Sequence, residues 1–88
     1  MIFISLTRAR KRLSKEFVAE SNKIIEKAGK YGIRVMKIYW VLGRYDTVFI
    51  YEAPDEKAAM RELLKFGDFV STETLIALPA EEAAKLVE

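Results

Sequence analysis

The stretch Tyr39-Trp-Val-Leu-Gly-Arg-Tyr-Asp-Thr-Val-Phe-Ile-Tyr-Glu-Ala-Pro-Asp55 constrains this chain more than any other. Two runs of β-branched, aromatic and aliphatic residues flank a short Gly43-Arg44-Tyr45-Asp46 connection, and a Pro54-Asp55 pair follows at once. Such runs around a glycine-bearing loop read as a β-hairpin, and the Pro-Asp pair reads as the start of a helix. Gly43 has no Cβ to clash at positive φ, and Asp46 can cap the turn with its carboxylate. Gly43, Tyr45 and Asp46 could edge a ligand pocket, but turn chemistry accounts for the glycine and aspartate and packing accounts for Tyr45, so the three are read as a structural motif.

The pattern on either side extends the hairpin to seven elements. Ile2, Ile4 and Leu6 alternate with Phe3, Ser5 and Thr7, which predicts a first strand over residues 2–6. A basic linker leads to Ser14, a helix N-cap with Leu13 and Val18 at the spacing of a hydrophobic staple. The stripe Phe17, Ser21, Ile24, Ala28, Tyr31 predicts a helix over 15–30, ended by Gly29 or Gly32. Strands over 34–42 and 47–53 form the hairpin. A second helix starts at Pro54-Asp55, buries Ala58, Ala59, Leu63 and Phe66 or their neighbours Met60 and Leu64, and stops at Gly67. A fourth strand over 69–78 sets Val70, Thr72, Thr74 and Ile76 against Ser71, Glu73, Leu75 and Ala77. A last helix over 80–87 is too short to persist in water unless it docks.

The order β-α-β-β-α-β is that of the ferredoxin-like α+β fold, whose four-stranded antiparallel sheet carries both helices on one face. The 88 residues make one domain, small enough that association is favoured. The hairpin strands and the fourth strand carry large apolar residues in both alternation classes, Tyr39 and Val41 beside Ile38 and Trp40, for example. A sheet solvated on one face alternates more cleanly, so the second face is expected to be covered by another copy of the chain. Tyr39, Phe49 or Tyr51, and Leu75 are the strand residues expected to meet their counterparts there.

Composition narrows the chemistry. The chain has no cysteine and no histidine, which removes disulfides, thiolate nucleophiles, Cys/His metal sites and imidazole bases. No cofactor and no metal site is expected. The absence of glutamine and the abundance of Lys and Glu lean towards a thermophile. No apolar run nears the ~20 residues of a membrane span, and the first residues lack the marks of a signal peptide, so a cytoplasmic protein without membrane contact is expected. The net charge of +2 hides an asymmetry, +8 over residues 1–44 and −6 over 45–88, that lets the halves attract one another within or between copies. The basic run Arg8, Arg10, Lys11, Arg12, Lys15 could touch phosphates, but it lacks interleaved aromatics, and the sheet lacks an RNP-type motif. Solvated or pairing charge is the expected role, and nucleic acid is not the expected partner.

Tyr39-Trp-Val-Leu-Gly-Arg-Tyr-Asp-Thr-Val, Glu52-Ala-Pro-Asp55 and Ser71-Thr-Glu-Thr-Leu75 together resemble the GYD domain family, named for a glycine, tyrosine and aspartate clustered as Gly43, Tyr45 and Asp46 are here. That family is similar to the dimeric α/β-barrel group, so the resemblance implies two ferredoxin-like sheets packed face to face in a homodimer or higher homo-oligomer. Related barrel families include ligand-binding regulatory domains and cofactor-independent oxygenases.

Candidate ligand-binding residues are Lys37, Tyr39, Tyr51 and Glu73, polar groups on otherwise apolar strands that suit a small-molecule cavity between sheet and helices or between two sheets. Cross-strand pairing of Lys37 with Glu52 or Glu73 is the plain alternative, and hairpin register decides between them. A four-residue loop would set Lys37 opposite Glu52. No catalytic signature is present. The function expected is that of a small oligomeric binding or regulatory module. The alternative is a cofactor-independent oxidoreductase or monooxygenase-like enzyme acting on a small organic substrate, with a carboxylate such as Glu73, a tyrosine or a lysine as its base.

Overall fold

The computed structural model describes residues 1–87. In chain order it forms β1 (Ile2–Ala9), α1 (Lys15–Ala28), a 3-10 turn (Gly29–Tyr31), β2 (Arg34–Trp40), β3 (Thr47–Glu52), α2 (Glu56–Lys65), β4 (Val70–Ala77), α3 (Ala80–Ala84) and a closing 3-10 turn (Lys85–Val87). The four strands make one antiparallel sheet in the order β2-β3-β1-β4, the ferredoxin-like α+β arrangement.

Local chemistry sets the helix ends. The Ser14 hydroxyl accepts the Phe17 N–H at 3.2 Å and the Asp55 carboxylate accepts the Ala58 N–H at 2.9 Å, each cap contributing about 1 kcal/mol. Lys30 and Tyr31 fall outside α1, because the chain tightens into a 3-10 turn from Gly29 and leaves it at Gly32, whose φ of 83° ends the helix. On α2 the buried residues are Ala58, Ala59 and Glu62, while Met60 and Leu64 stay exposed.

Two differences from the sequence expectation concern the strands. β1 continues through Arg8 and Ala9, paired with Ser71 and Val70, so the linker begins as strand. It can do so because β4 runs alongside as a partner and the Asp46 carboxylate takes the Ala9 N–H at 2.7 Å. The hairpin register also differs, because residues 41–46 all lie outside the strands. Lys37 sits opposite Ile50, and a bulge between Val35 and Lys37 leaves Arg34, not Lys37, opposite Glu52, with an Arg34–Glu52 ion pair at 2.9 Å.

One face of the sheet packs on the helices through Phe3, Val35 and Tyr51, with Ala28, Ala58 and Ala59 above them. Phe3 and Tyr51 stack at 5.6 Å, and Phe17, Phe66 and Phe69 meet edge-on or tilted at the far end. The register sets Ile4, Ile50, Leu75, Lys37 and Tyr39 on the opposite face, Tyr39 half exposed and Leu75 at 45%. The Cα envelope is only 17 Å thick, which is two layers, so among the described residues no element covers that face. Phe49 and Tyr51 belong to the helix side. Their placement corrects the expectation that they would meet a second copy, since the register aligns Phe49 with Ser5 and Tyr51 with Phe3.

Candidate functional site

The helix side of the sheet encloses a cavity of about 110 Å³. Apolar side chains of α1, β2 and α2, including Ile25, Val35 and Leu63, form its walls. Its mouth lies where Val18, Ile38 and Trp40 remain 37–60% exposed. α1 presents the small residues Ser21 and Ala28 to it, and small side chains leave space between a helix and a sheet.

The floor is a row of hydroxyls. Ser5 Oγ is hydrogen-bonded to Tyr51 OH at 2.9 Å and to Thr74 Oγ1 at 2.8 Å, and Thr7 is hydrogen-bonded to Thr47. These groups lie on the helix-facing rows of β1, β3 and β4, so strand alternation alone brings them together. Burial pushes the Tyr51 phenol above its ordinary value, with the bonds to Ser5 and Thr74 opposing in part.

One charged side chain lines the cavity, Glu62 of α2. It is 5% exposed. Its Oε1 accepts from Lys65 Nζ at 3.0 Å, one turn along the helix, whereas Oε2 is the buried side-chain atom without a partner among the described residues. The sequence expectation passed over Glu62. The signal was available in its position, four residues after Ala58 and three after Ala59, at the centre of the stripe that packs inward.

The four candidate residues separate between the two faces. Tyr51 lines the cavity. Lys37, Tyr39 and Glu73 lie on the open face, Lys37 and Tyr39 on edge strand β2 and Glu73 on edge strand β4. Glu73 accepts a hydrogen bond from the Tyr45 hydroxyl, which raises the Tyr45 phenol above its ordinary value chiefly through that bond.

The Gly43-Arg44-Tyr45-Asp46 loop is tied to the sheet at several points. Gly43 takes φ 111°, Tyr45 reaches Glu73 of β4, and Asp46 reaches β1 twice, its N–H donating to Thr7 O at 2.8 Å and its carboxylate accepting from Ala9. The motif therefore pins the hairpin end across the neighbouring strands, beyond capping its own turn. Lys11 of the basic run stands over the Phe69 ring at 5.6 Å, a packing role for one of those charges.

Among the described residues no helix is long and apolar enough to cross a membrane. No curated protein matches the chain. The profile of the GYD domain family, by contrast, matches residues 1–87 from the first strand through the closing turn, and this protein belongs to the GYD domain family.

Proposed function

We propose that this protein is a small-molecule-binding module, acting in a regulatory or carrier role as a homodimer, with its ligand held in the cavity between helices and sheet. The observation that carries the reading is the cavity itself. Apolar walls, a floor of hydroxyls that bond one another, and a single buried carboxylate are the composition of a small-ligand site, in which few polar groups fix orientation and apolar surface supplies affinity. A ligand that binds the folded state raises the melting temperature in proportion to the logarithm of its concentration over Kd. Compact aromatic compounds should stabilise the protein in this way, and Ser21→Leu, which fills the cavity, should abolish the effect. Equal stabilisation of both proteins would overturn the reading, as would none in either.

The homodimer is supported by the open face. Basic Lys37 lies on one edge strand and acidic Glu73 on the other. A twofold axis parallel to the strands lays β2 of one copy over β4 of the next and sets Lys37 and Tyr39 near Glu73 and Leu75 of the second copy, while Ile4 and Ile50 are buried at the centre. In this arrangement the three open-face candidates form one cluster across the interface. Exposed Leu86 and Val87 after α3 give the second copy further apolar surface to cover.

The oxygenase reading uses the same cavity, with Glu62 as the base in place of Glu73. Among the described residues Glu62 Oε2 is the buried side-chain oxygen without a partner, and Glu62 lines the apolar space. Oxygen consumption with an acidic aromatic substrate, lost in Glu62→Gln with folding intact, would favour it.

A further inference from the structure

We propose that the ligand of this cavity is an uncharged molecule of about single-ring size carrying one O–H or N–H donor, and that the donor bonds to Glu62 Oε2. The inference rests on the reading of the cavity as a ligand site and adds the chemistry of what enters it. A buried carboxylate oxygen with no donor is costly to keep, the more so because it is charged, and a ligand that supplies the donor recovers that cost on binding. Of the polar groups that line it, Ser5 and Tyr51 are bonded to each other and Thr7 to Thr47, while Ser21, Asn22 and Thr72 lie nearer the helices and the sheet edge. Among the described residues Glu62 Oε2 is the buried side-chain oxygen left without a donor, and it is the acceptor we assign to the ligand.

Charge balance then selects among donors. Lys65 already sits on Oε1 at 3.0 Å, so the carboxylate is neutralised by its own helix. A ligand ammonium would add an uncompensated positive charge between apolar walls, and a ligand carboxylate would face Glu62 directly; both are penalised by desolvation. A neutral hydroxyl or ring N–H meets neither penalty. A hydrogen bond to an ionised acceptor is stronger than one between neutral groups, and contributes about tenfold or more to affinity. The volume sets the size, since 110 Å³ with an open mouth is comparable to apolar cavities of ~150 Å³ that accept a benzene ring.

Three single-ring probes test this: p-cresol, toluene and benzylammonium, titrated calorimetrically into the wild-type protein, Glu62→Leu and Glu62→Gln. The wild type should bind p-cresol at least about tenfold more tightly than toluene, with benzylammonium weakest. In Glu62→Leu the preference should vanish or reverse towards toluene, and in Glu62→Gln it should fall. Equal binding of p-cresol and toluene by the wild type would overturn the proposed donor while leaving the cavity as a site. Tightest binding of benzylammonium, or a preference for p-cresol that survives in Glu62→Leu, would overturn it too. If Glu62→Leu fails to fold, the wild-type ratio and Glu62→Gln decide between the same outcomes. Failure of all three probes to bind the wild type would remove the cavity reading itself.

Discussion

The carboxylate of Asp46, at the end of the hairpin loop, accepts the backbone N–H of Ala9, at the end of β1, at 2.7 Å. Asp46 thereby supplies the acceptor that a longer β3 would have offered, and lets β1 run to Ala9 beside β4. Asp46→Ala leaves that amide without its partner and should destabilise by about 1–3 kcal/mol in urea melts. Asp46→Asn keeps an acceptor and should lose less. Equal stability of Asp46→Ala and wild type would show that the contact contributes nothing.

Two glycines have positive φ, and their surroundings rank them. A Cβ at Gly43, φ 111°, would meet nothing within 4 Å, so Gly43→Ala carries only backbone strain, on the order of 1–3 kcal/mol. A Cβ at Gly32, φ 83°, would also lie 2.8 Å from Cγ of the Pro54 ring. Gly32→Ala should therefore be the more destabilising of the two by thermal denaturation, and the reverse order would contradict the placement of Pro54 against the end of α1.

Tyr51 predicts an alkaline limit. Burial raises its phenol above the ordinary value of about 10, so the unfolded chain loses that proton at lower pH than the folded one. The contribution is complete below about pH 10 and falls as pH climbs through the folded value. Denaturant melts between pH 8 and 11 should show this loss, and Tyr51→Phe should reduce it. An unchanged alkaline slope in Tyr51→Phe would place the effect elsewhere.

The open sheet face predicts association. The wild type should sediment as a dimer at micromolar protein. Ile50→Lys, which puts a charge at the centre of the face, should give monomer or aggregate, and Lys57→Glu at an exposed position of α2 should leave the mass unchanged. A well-folded wild-type monomer under those conditions would count against the homodimer.

Periodicity and punctuation were enough to read the fold. Ser14 and Asp55 act as the caps their positions imply, and strand alternation alone separates Ser5 from Ile4 and Thr74 from Leu75. Register was not legible, because it turns on the Met36 bulge and on a loop over residues 41–46 that is held by long-range contacts such as Asp46 with Thr7 and Ala9. Without register, nothing in the residue pattern separates Tyr51 from Lys37, Tyr39 and Glu73. Glu62 was hidden for a different reason. A glutamate in an amphipathic helix is ordinarily solvated, and only the packing of α2 against α1 and the sheet shows its carboxylate buried with one oxygen unused.

The most direct test of a ligand site between helices and sheet is a methyl-resolved NMR titration of the labelled protein with p-cresol. Saturable shifts should appear at the methyls of Val18, Val35, Ile38 and Leu63, which line the cavity, and spare Ile4, Ile50 and Leu75 on the opposite face. Saturable shifts centred on Ile4, Ile50 and Leu75, or no saturable shift at any methyl, would contradict it.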